Sequence, residues 1–423
     1  MTFIALTVTI VAYLLNIKVG TVLAMLGIIY ILLNDKKPFI AKLIKAIVYS
    51  APFYVFSFWG TRYRFSMCTL LSILLCVILT VRLFKRGAKI NRSAFLSLVL
   101  LVLFFFSYSI STFESKDMME TLANTFQLVI LGYLIFIIQA TRKVELLSAS
   151  IDTEELMNIF AIGVCAIAMG IYIQFALYQW GGIRLGEVFI YGSGRKVFNL
   201  YVYAKSALSL YLALGLIYYY IKLFRKFKLN NIVIIIFILG AIVLNNSRTG
   251  LASFAISAIL YTIVHFRKAI RSVKITAMLI ILAAAAFYII QMMLLSRTGL
   301  DGIADDNGRF DLIFIALKML PQHIVIGIGG SAADYAATEM GITVHNFIVA
   351  FLIQFGCIGG FCIDVILLST IWKSKSEYLF YTLTAVIGGF FFANWQNAVF
   401  IFPIVILGLL QHNTMRGEVY EFT

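Results

Sequence analysis

"NNIVIIIFILGAIVLNNSRTGLASFAISAIL" occupies residues 230–260. From Ile232 to Leu244 no residue carries a polar side chain. A strand of a membrane barrel would alternate with period two, whereas this run is continuous, so it reads as a helix in an apolar solvent. The run stops at "NNSRTG", and a second apolar run begins at once. At 1.5 Å per residue, residues 231–244 give about 21 Å and residues 250–264 about 22 Å. Both fall short of the roughly 30 Å of bilayer hydrocarbon. The turn is therefore expected below the outer membrane surface, with Arg248 facing a polar cavity. A cation at that depth is costly without an anionic partner.

The pattern extends along the whole chain. Of 423 residues, 62% are hydrophobic and 13% charged, and mean hydropathy is +0.98. That composition excludes a soluble globular protein. Spans are expected near 2–16, 19–33, 46–59, 66–81, 94–110, 121–139, 157–179, 200–221, 231–244, 250–265, 275–295, 346–371, 377–394 and 398–411. The fold class is an all-α polytopic membrane protein with about 12–14 transmembrane helices. Residues 1–423 are expected to form a single integral membrane domain. "MTFIALTVTIVAYLLN" lacks a basic leader and a small-residue cleavage site, so it reads as a retained first span. Cys68, Cys76, Cys165, Cys357 and Cys362 all lie in apolar runs and read as small core residues.

The formal net charge of +15 raises nucleic acid as a partner. Its distribution argues against that. Alternate loops, together with the C-terminal tail, hold 22 of the 34 Lys and Arg. By the positive-inside rule that set is cytoplasmic, and both termini with it. The excess charge is thus a topology signal that can also touch anionic membrane lipid.

The opposite face has short loops and one large one, residues 296–345. It holds 6 of the 19 acidic residues and two of the four histidines. Within it, Phe310, Ile313, Phe314, Leu317 and Leu320 make one helical stripe ended by Pro321, with Asn307 as a candidate N-cap. This reads as an amphipathic helix in the outer interface, with Arg309 in its first turn. "GIGGS" follows, read as a structural turn in preference to a phosphate cradle. The chain re-enters the membrane at "HNFIVAFLIQFGCIGGF", where Gly356, Gly359 and Gly360 read as close-packing positions. A smaller outer loop spans 180–198.

"NNSRTGL" after a short span, a large outer loop with "GRF" and "GIGG", then "HNFIVAFLIQFGCIGG" opening a span resemble the bacterial O-antigen polymerase and O-antigen ligase superfamily. The resemblance covers roughly residues 200–371. It implies an integral membrane glycosyltransferase with a GT-C-like helical architecture, no cofactor and no metal. The implied donor is an undecaprenyl-diphosphate-linked oligosaccharide, used at the outer face of a bacterial cytoplasmic membrane. The implied catalytic residues are Arg248 and Arg309, which contact the diphosphate, and His345 at the acceptor. Arg297, in a second "SRTGL", ends a span on the same face and is a further candidate for phosphate. Its flanks do not resemble those of the first copy.

Those residue types suit the chemistry. A lipid diphosphate leaves as a stable anion, so the protein needs cations where charge develops rather than a general acid. Guanidinium groups hold phosphate bidentately and stay charged. A histidine of ordinary pKa can take the proton of an attacking hydroxyl. Asn346 is expected to orient His345 or to cap the span. Lys205, Arg184, Arg195 and Lys196 are candidates for guiding diphosphate or sugar, and Tyr172, Tyr178, Trp180, Tyr191 and Tyr201 for stacking on it. Asp301, Asp305, Asp306 and Asp311 could bind a hard cation but read as a solvated loop. Asp364 is a carboxylate within a span, toward its cytoplasmic end. His323, His265 and His412 read as uninvolved.

The leading expectation is a polymerase of polysaccharide repeat units, with a chain-length regulator protein as a further partner. A ligase passing the glycan to a lipid A core is the alternative within the class. A lipid-linked oligosaccharide flippase is the alternative outside it. A transporter would carry polar groups at mid-membrane in matching halves. This chain gathers them on one face.

Overall fold

The computed structural model describes residues 2–53, 66–86, 90–141, 151–190, 196–200, 205–266, 309–374, 377–392 and 398–418. The elements are helices almost throughout, and the chain is an all-α polytopic membrane protein. Seven described helices are long and apolar enough to cross a bilayer, and five shorter apolar helices accompany them. The expected span at 275–295 lies outside the described residues.

Two compact units divide the chain. The first comprises Met1–Leu23 and Phe160–Gly308. It holds α1 (Thr2–Leu15), the start of α2 (Ile17–Asn34), most of α7 (Thr153–Gly181), α8 (Lys205–Arg225), α9 (Leu229–Asn245) and α10 (Arg248–Val264). Asn16 separates α1 from α2, and its carboxamide oxygen accepts from the N–H of Lys18 at 3.0 Å. The chain reverses so tightly that a Cβ on Gly20 would strike Tyr13. Helix α8 is buried along nearly its whole length and packs on both α9 and α10, the behaviour of a central helix. The Tyr211 ring meets Phe160 of α7 edge-on at 5.1 Å.

The loop 180–198 departs from the all-helical expectation. Strand β1 (Val188–Ile190) pairs antiparallel with β2 (Lys196–Phe198). Gln174 of α7 fixes its base. The amide nitrogen donates to the carbonyls of Leu185 and Glu187 at 2.6 and 3.1 Å, and the amide oxygen accepts from the Leu200 N–H at 3.1 Å. Polar backbone so close to the bilayer needs partners, and one glutamine supplies three.

The second unit comprises Ala24–Ile159 and Arg309–Thr423. It holds the rest of α2, then α3 (Phe39–Ser50), α4 (Met67–Arg86), α5 (Arg92–Phe113), α6 (Met118–Ala140), α11 (Arg309–Met319), α12 (Ala332–Ala336), α13 (Phe347–Lys373), α14 (Tyr378–Gly389) and α15 (Ile401–Glu418). Helix α3 corrects the sequence reading, which left 34–45 as a loop and began a span at 46. Its Ile40, Leu43, Ile44, Ile47 and Val48 are buried at helical spacing. Lys45 bridges Asp35 at 2.9 Å and Glu155 at 2.7 Å, and Lys37 also pairs with Glu155. The basic loop is partly a helix because carboxylates receive its lysines.

Helix α13 packs along α5, and its course is broken at Gly356 (φ 73°, ψ 170°). That backbone conformation is open to glycine and strained for other residues. The break frees backbone groups inside a membrane helix, and segment 324–329 answers them. Ile328 and Gly329 donate to the carbonyls of Ile353 and Gln354 at 2.9 and 3.2 Å, while Cys357 donates to Ile324 at 2.7 Å. Ser111 of α5 also donates to Gln354. Irregular backbone at membrane depth survives where protein re-satisfies it in this way. Gly359 keeps its expected role, since a Cβ there would lie 2.5 Å from that of Ser107. Gly356 is the break rather than a packing position.

Candidate functional site

One part of the second unit is built around α11. Helix α11 begins at Arg309 and ends at Met319, with a 3-10 turn over Leu320–Gln322 that Pro321 imposes. Leu312 and Ala316 point inward to Tyr335, Met340, Val344, Ala350 and Ile353. Phe310, Phe314 and Leu317 remain exposed, which leaves an apolar stripe available to lipid. Asn307 lies outside the described residues.

"GIGGS" is committed to structure. Its Ile328 and Gly329 N–H groups hold α13, and the Gly330 N–H donates to Thr121 Oγ1 at 3.1 Å. The Ser331 N–H goes to Asp334 at 2.9 Å. Successive N–H groups are thereby unavailable to phosphate. Asp334 is 3% exposed and accepts further from Ser115 Oγ at 2.6 Å, Thr121 Oγ1 at 3.3 Å and the Lys116 N–H at 2.8 Å. Burial pushes its carboxyl up, but hydrogen bonds from Ser115, Ser331 and the Lys116 backbone outweigh that and hold it below its ordinary value. Tyr335 receives a hydrogen bond from Gln354 at 2.8 Å. None of these tethers was read from the sequence, and those to Ser115, Lys116 and Thr121 join segments some 200 residues apart.

His345 lies half-buried at the mouth of α13, and its Nδ1 is buried with no hydrogen-bond partner among the described residues. Burial first, then the positive charge of Arg309, lower its pKa from 6.5 to about 4, against a backbone hydrogen bond with Thr343. The structure therefore brings Arg309 and His345 into electrostatic contact, with the imidazole neutral at neutral pH. Asn346 caps α13, its side-chain oxygen accepting from the Val349 N–H at 3.2 Å. Of its two expected roles, capping is the one observed.

In the first unit, Arg248 opens α10. Helices α9 and α10 have 17 residues each, about 25 Å, still short of the hydrocarbon thickness. The turn between them is a buried polar knot. Asn245 is 0%, Ser247 2% and Thr249 3% exposed, while Arg248 is half-exposed. Asn246 takes the left-handed conformation (φ 51°, ψ 41°) that asparagine tolerates. Ser209 of α8 clamps the turn, accepting from the Gly250 N–H at 2.6 Å and donating to the Ser247 carbonyl at 3.3 Å. Asn245 donates to the Phe198 carbonyl at 3.2 Å and to Asn199 at 3.1 Å. Arg248 has no hydrogen-bond or ion-pair partner among the described residues. A cation at a helix N-terminus adds to the positive end of the helix dipole, an arrangement that favours an anion.

The other expected residues divide. Lys205 is the first residue of α8 and half-buried, and Arg184 is exposed in the loop before β1. Lys196 lies 5.0 Å over the Tyr178 ring. The Tyr172 hydroxyl donates to the Phe237 carbonyl at 3.0 Å, and its ring stacks on Phe237, so it is already engaged. Trp180 is exposed, as an interfacial aromatic would be. Arg195, Arg297, Tyr191, Tyr201, Asp301, Asp305 and Asp306 lie outside the described residues.

Residues 232–363 match the family model described as O-antigen ligase. That match, over about a third of the chain, supports the resemblance to the O-antigen polymerase and ligase superfamily. The match begins in α9 and ends inside α13, so it spans the Arg248 turn, α11, the "GIGGS" tether and His345. A search of curated proteins finds no match to the chain.

Proposed function

We propose that the protein is a glycosyltransferase that polymerises lipid-diphosphate-linked oligosaccharide repeat units at the outer face of a bacterial cytoplasmic membrane. The observation that carries this reading is the Arg309–His345 pair: a half-buried neutral imidazole whose basicity burial and then a neighbouring guanidinium suppress. In the free protein that base is weak. An anionic diphosphate against Arg309 offsets the positive charge and raises the imidazole's proton affinity. The base is strengthened when donor is bound. His345 then takes the proton of the acceptor hydroxyl as its oxygen attacks C1. The C1–O bond to phosphate breaks, and the electron pair leaves with the lipid diphosphate. Arg309 meets the developing charge, and Arg248 is the second cation that the resemblance implies.

The unpartnered Arg248 and the family match fit the ligase alternative equally well, since both reactions use the same donor. The two differ in acceptor. The test is purified protein with synthetic undecaprenyl-diphosphate repeat unit in EDTA, read as an oligomer ladder on a gel. The expected result is a ladder from wild type that His345→Ala and Arg248→Ala abolish. Well-folded wild type that makes no ladder, with or without divalent cation, overturns the polymerase reading. A lipid A core acceptor is then added.

A further inference from the structure

The second unit contains a polar recess of about 940 Å³ between the outer end of α5, the C-terminal end of α11 and the segment after α12. Glu114, Lys116, Lys318, Gln322, His323 and Glu339 line it. Carboxylates and ammonium groups are interspersed, yet none of these side chains is ion-paired among the described residues. Its walls are fixed. Asp334 ties the start of α12 to Ser115 and Lys116, and the tether at Ile328 and Gly329 ties the loop to α13. The recess is thus a pre-formed cavity with unused donors and acceptors of both signs, at the upper end of ligand-site size.

The lining discriminates among ligands. A diphosphate site would concentrate cations and exclude carboxylates, and Glu114 and Glu339 oppose that. A lipid chain would need apolar walls. Alternating donors and acceptors without a dominant charge suit a polyhydroxylated ligand, whose hydroxyls each donate and accept. Helix α11 links this recess to the reacting centre. Arg309 stands at its first residue and Lys318 near its last, about 13 Å apart along the axis.

We propose that this recess is a glycan-binding subsite, remote from bond formation, that holds saccharide residues of the transferred or accepting chain. The proposal rests on the glycosyltransferase reading, because only that reading brings a glycan to this face. Binding remote sugars would position the acceptor hydroxyl at the reacting centre.

The probe is the oligosaccharide of one to three repeat units cleaved from the polysaccharide of the source bacterium. It is added to full-length protein in nanodiscs and read by saturation-transfer NMR. Saturation transfer to the sugar is expected, with loss in Gln322→Trp, which occludes the recess without burying a charge, and in Glu114→Gln/Glu339→Gln. In the ladder assay both variants should raise the KM for acceptor at least tenfold with kcat nearly unchanged. The unchanged kcat also shows that each variant is folded. Wild type that forms a ladder while both variants bind and polymerise normally overturns the subsite and leaves the enzyme reading intact. Sugar binding that the variants abolish, in a wild type with neither ladder nor transfer to lipid A core, supports the subsite and overturns the enzyme reading.

Discussion

The N–H of Gly329 donates to the carbonyl of Gln354 at 3.2 Å. That bond is one of several by which segment 324–329 closes the gap that Gly356 leaves in α13. A Cβ at Gly356 would stand 2.7 Å from the Val325 carbonyl oxygen, and the backbone there has φ 73°. Gly356→Ala therefore combines left-handed strain of about 1–3 kcal/mol with a clash against backbone. The expected outcome is a lowered melting temperature in detergent and loss of transfer. Gly341, also at positive φ but with open space around its Cβ position, reports the strain without the clash. If Gly341→Ala is the more damaging of the two, the tether is not what makes Gly356 indispensable.

Asp334 gathers hydrogen bonds from four residues, and Asp334→Asn weakens the charge-assisted ones by about 1–3 kcal/mol in total. Its folded pKa lies below the ordinary 3.8. Stability from this group is complete above pH 3.8 and is lost as pH falls through the lower folded value. Hydrogen exchange of residues 324–345 should accelerate in the variant relative to wild type at pH 7. Equal exchange in variant and wild type at pH 7 would sink the claim that this carboxylate holds the loop.

Part of this architecture was legible in the sequence and part was not. The spans were readable because runs such as 232–244 are continuously apolar, and a bilayer imposes a length. The place of Arg248, at a turn between two short apolar helices, was readable because both apolar runs break off at "NNSRTG". Helix α3 was missed because Lys42 and Lys45 read as loop charges, and the carboxylates that receive Lys45 come from Asp35 and distant Glu155. The break at Gly356 could not be told from the close packing at Gly359, since both roles ask only for a missing Cβ. The Asp334 tethers and the hairpin of 188–198 depend on pairings that local pattern does not carry.

His345 gives a pH signature. Burial and Arg309 place its free-enzyme pKa near 4 rather than 6.5. The rate at limiting substrate should hold from neutral pH down toward 5 and fall only near 4. The rate at saturating donor should fall at a higher pH, because bound diphosphate offsets Arg309. Folding is linked with a definite sign. Between about 4 and 6.5 the unfolded chain binds the extra proton, so this residue makes stability rise with pH there and contributes no slope above. Arg309→Gln should move the free-enzyme value upward. Profiles with a single inflection at 6.5 in wild type and Arg309→Gln alike would remove the coupling.

Arg248 separates function from folding. It is half-exposed and unpartnered among the described residues, so Arg248→Ala should change the melting temperature little. Activity should fall by 10²-fold or more, as on removal of one donor to a developing charge. Arg248→Lys keeps the charge but loses the bidentate fork, and should recover only part of the rate. Gly250, two residues on, is the contrasting position. A Cβ there would collide with the Ser209 carbonyl, so Gly250→Ala should destabilise as well as inactivate. A large stability loss in Arg248→Ala would mean that the arginine anchors the turn.

Asp364 is the sharpest remaining tension within the second unit. It is 5% exposed in a helix that spans the membrane, and both carboxylate oxygens lack hydrogen-bond partners among the described residues. A buried polar group without partners costs free energy, and the cost grows in hydrocarbon. Asp364→Asn and Asp364→Leu should each raise the melting temperature in lipid nanodiscs, leucine more, because it removes the polar atoms altogether. The activity of the two variants decides why the carboxylate is there. Full activity with raised stability means that Asp364 only fixes topology or register during insertion. Lost activity with raised stability means that the protein keeps a destabilising acid for its reaction. A lower melting temperature in both variants would mean that the carboxylate has partners in the membrane and that the premise of an unsatisfied group is wrong.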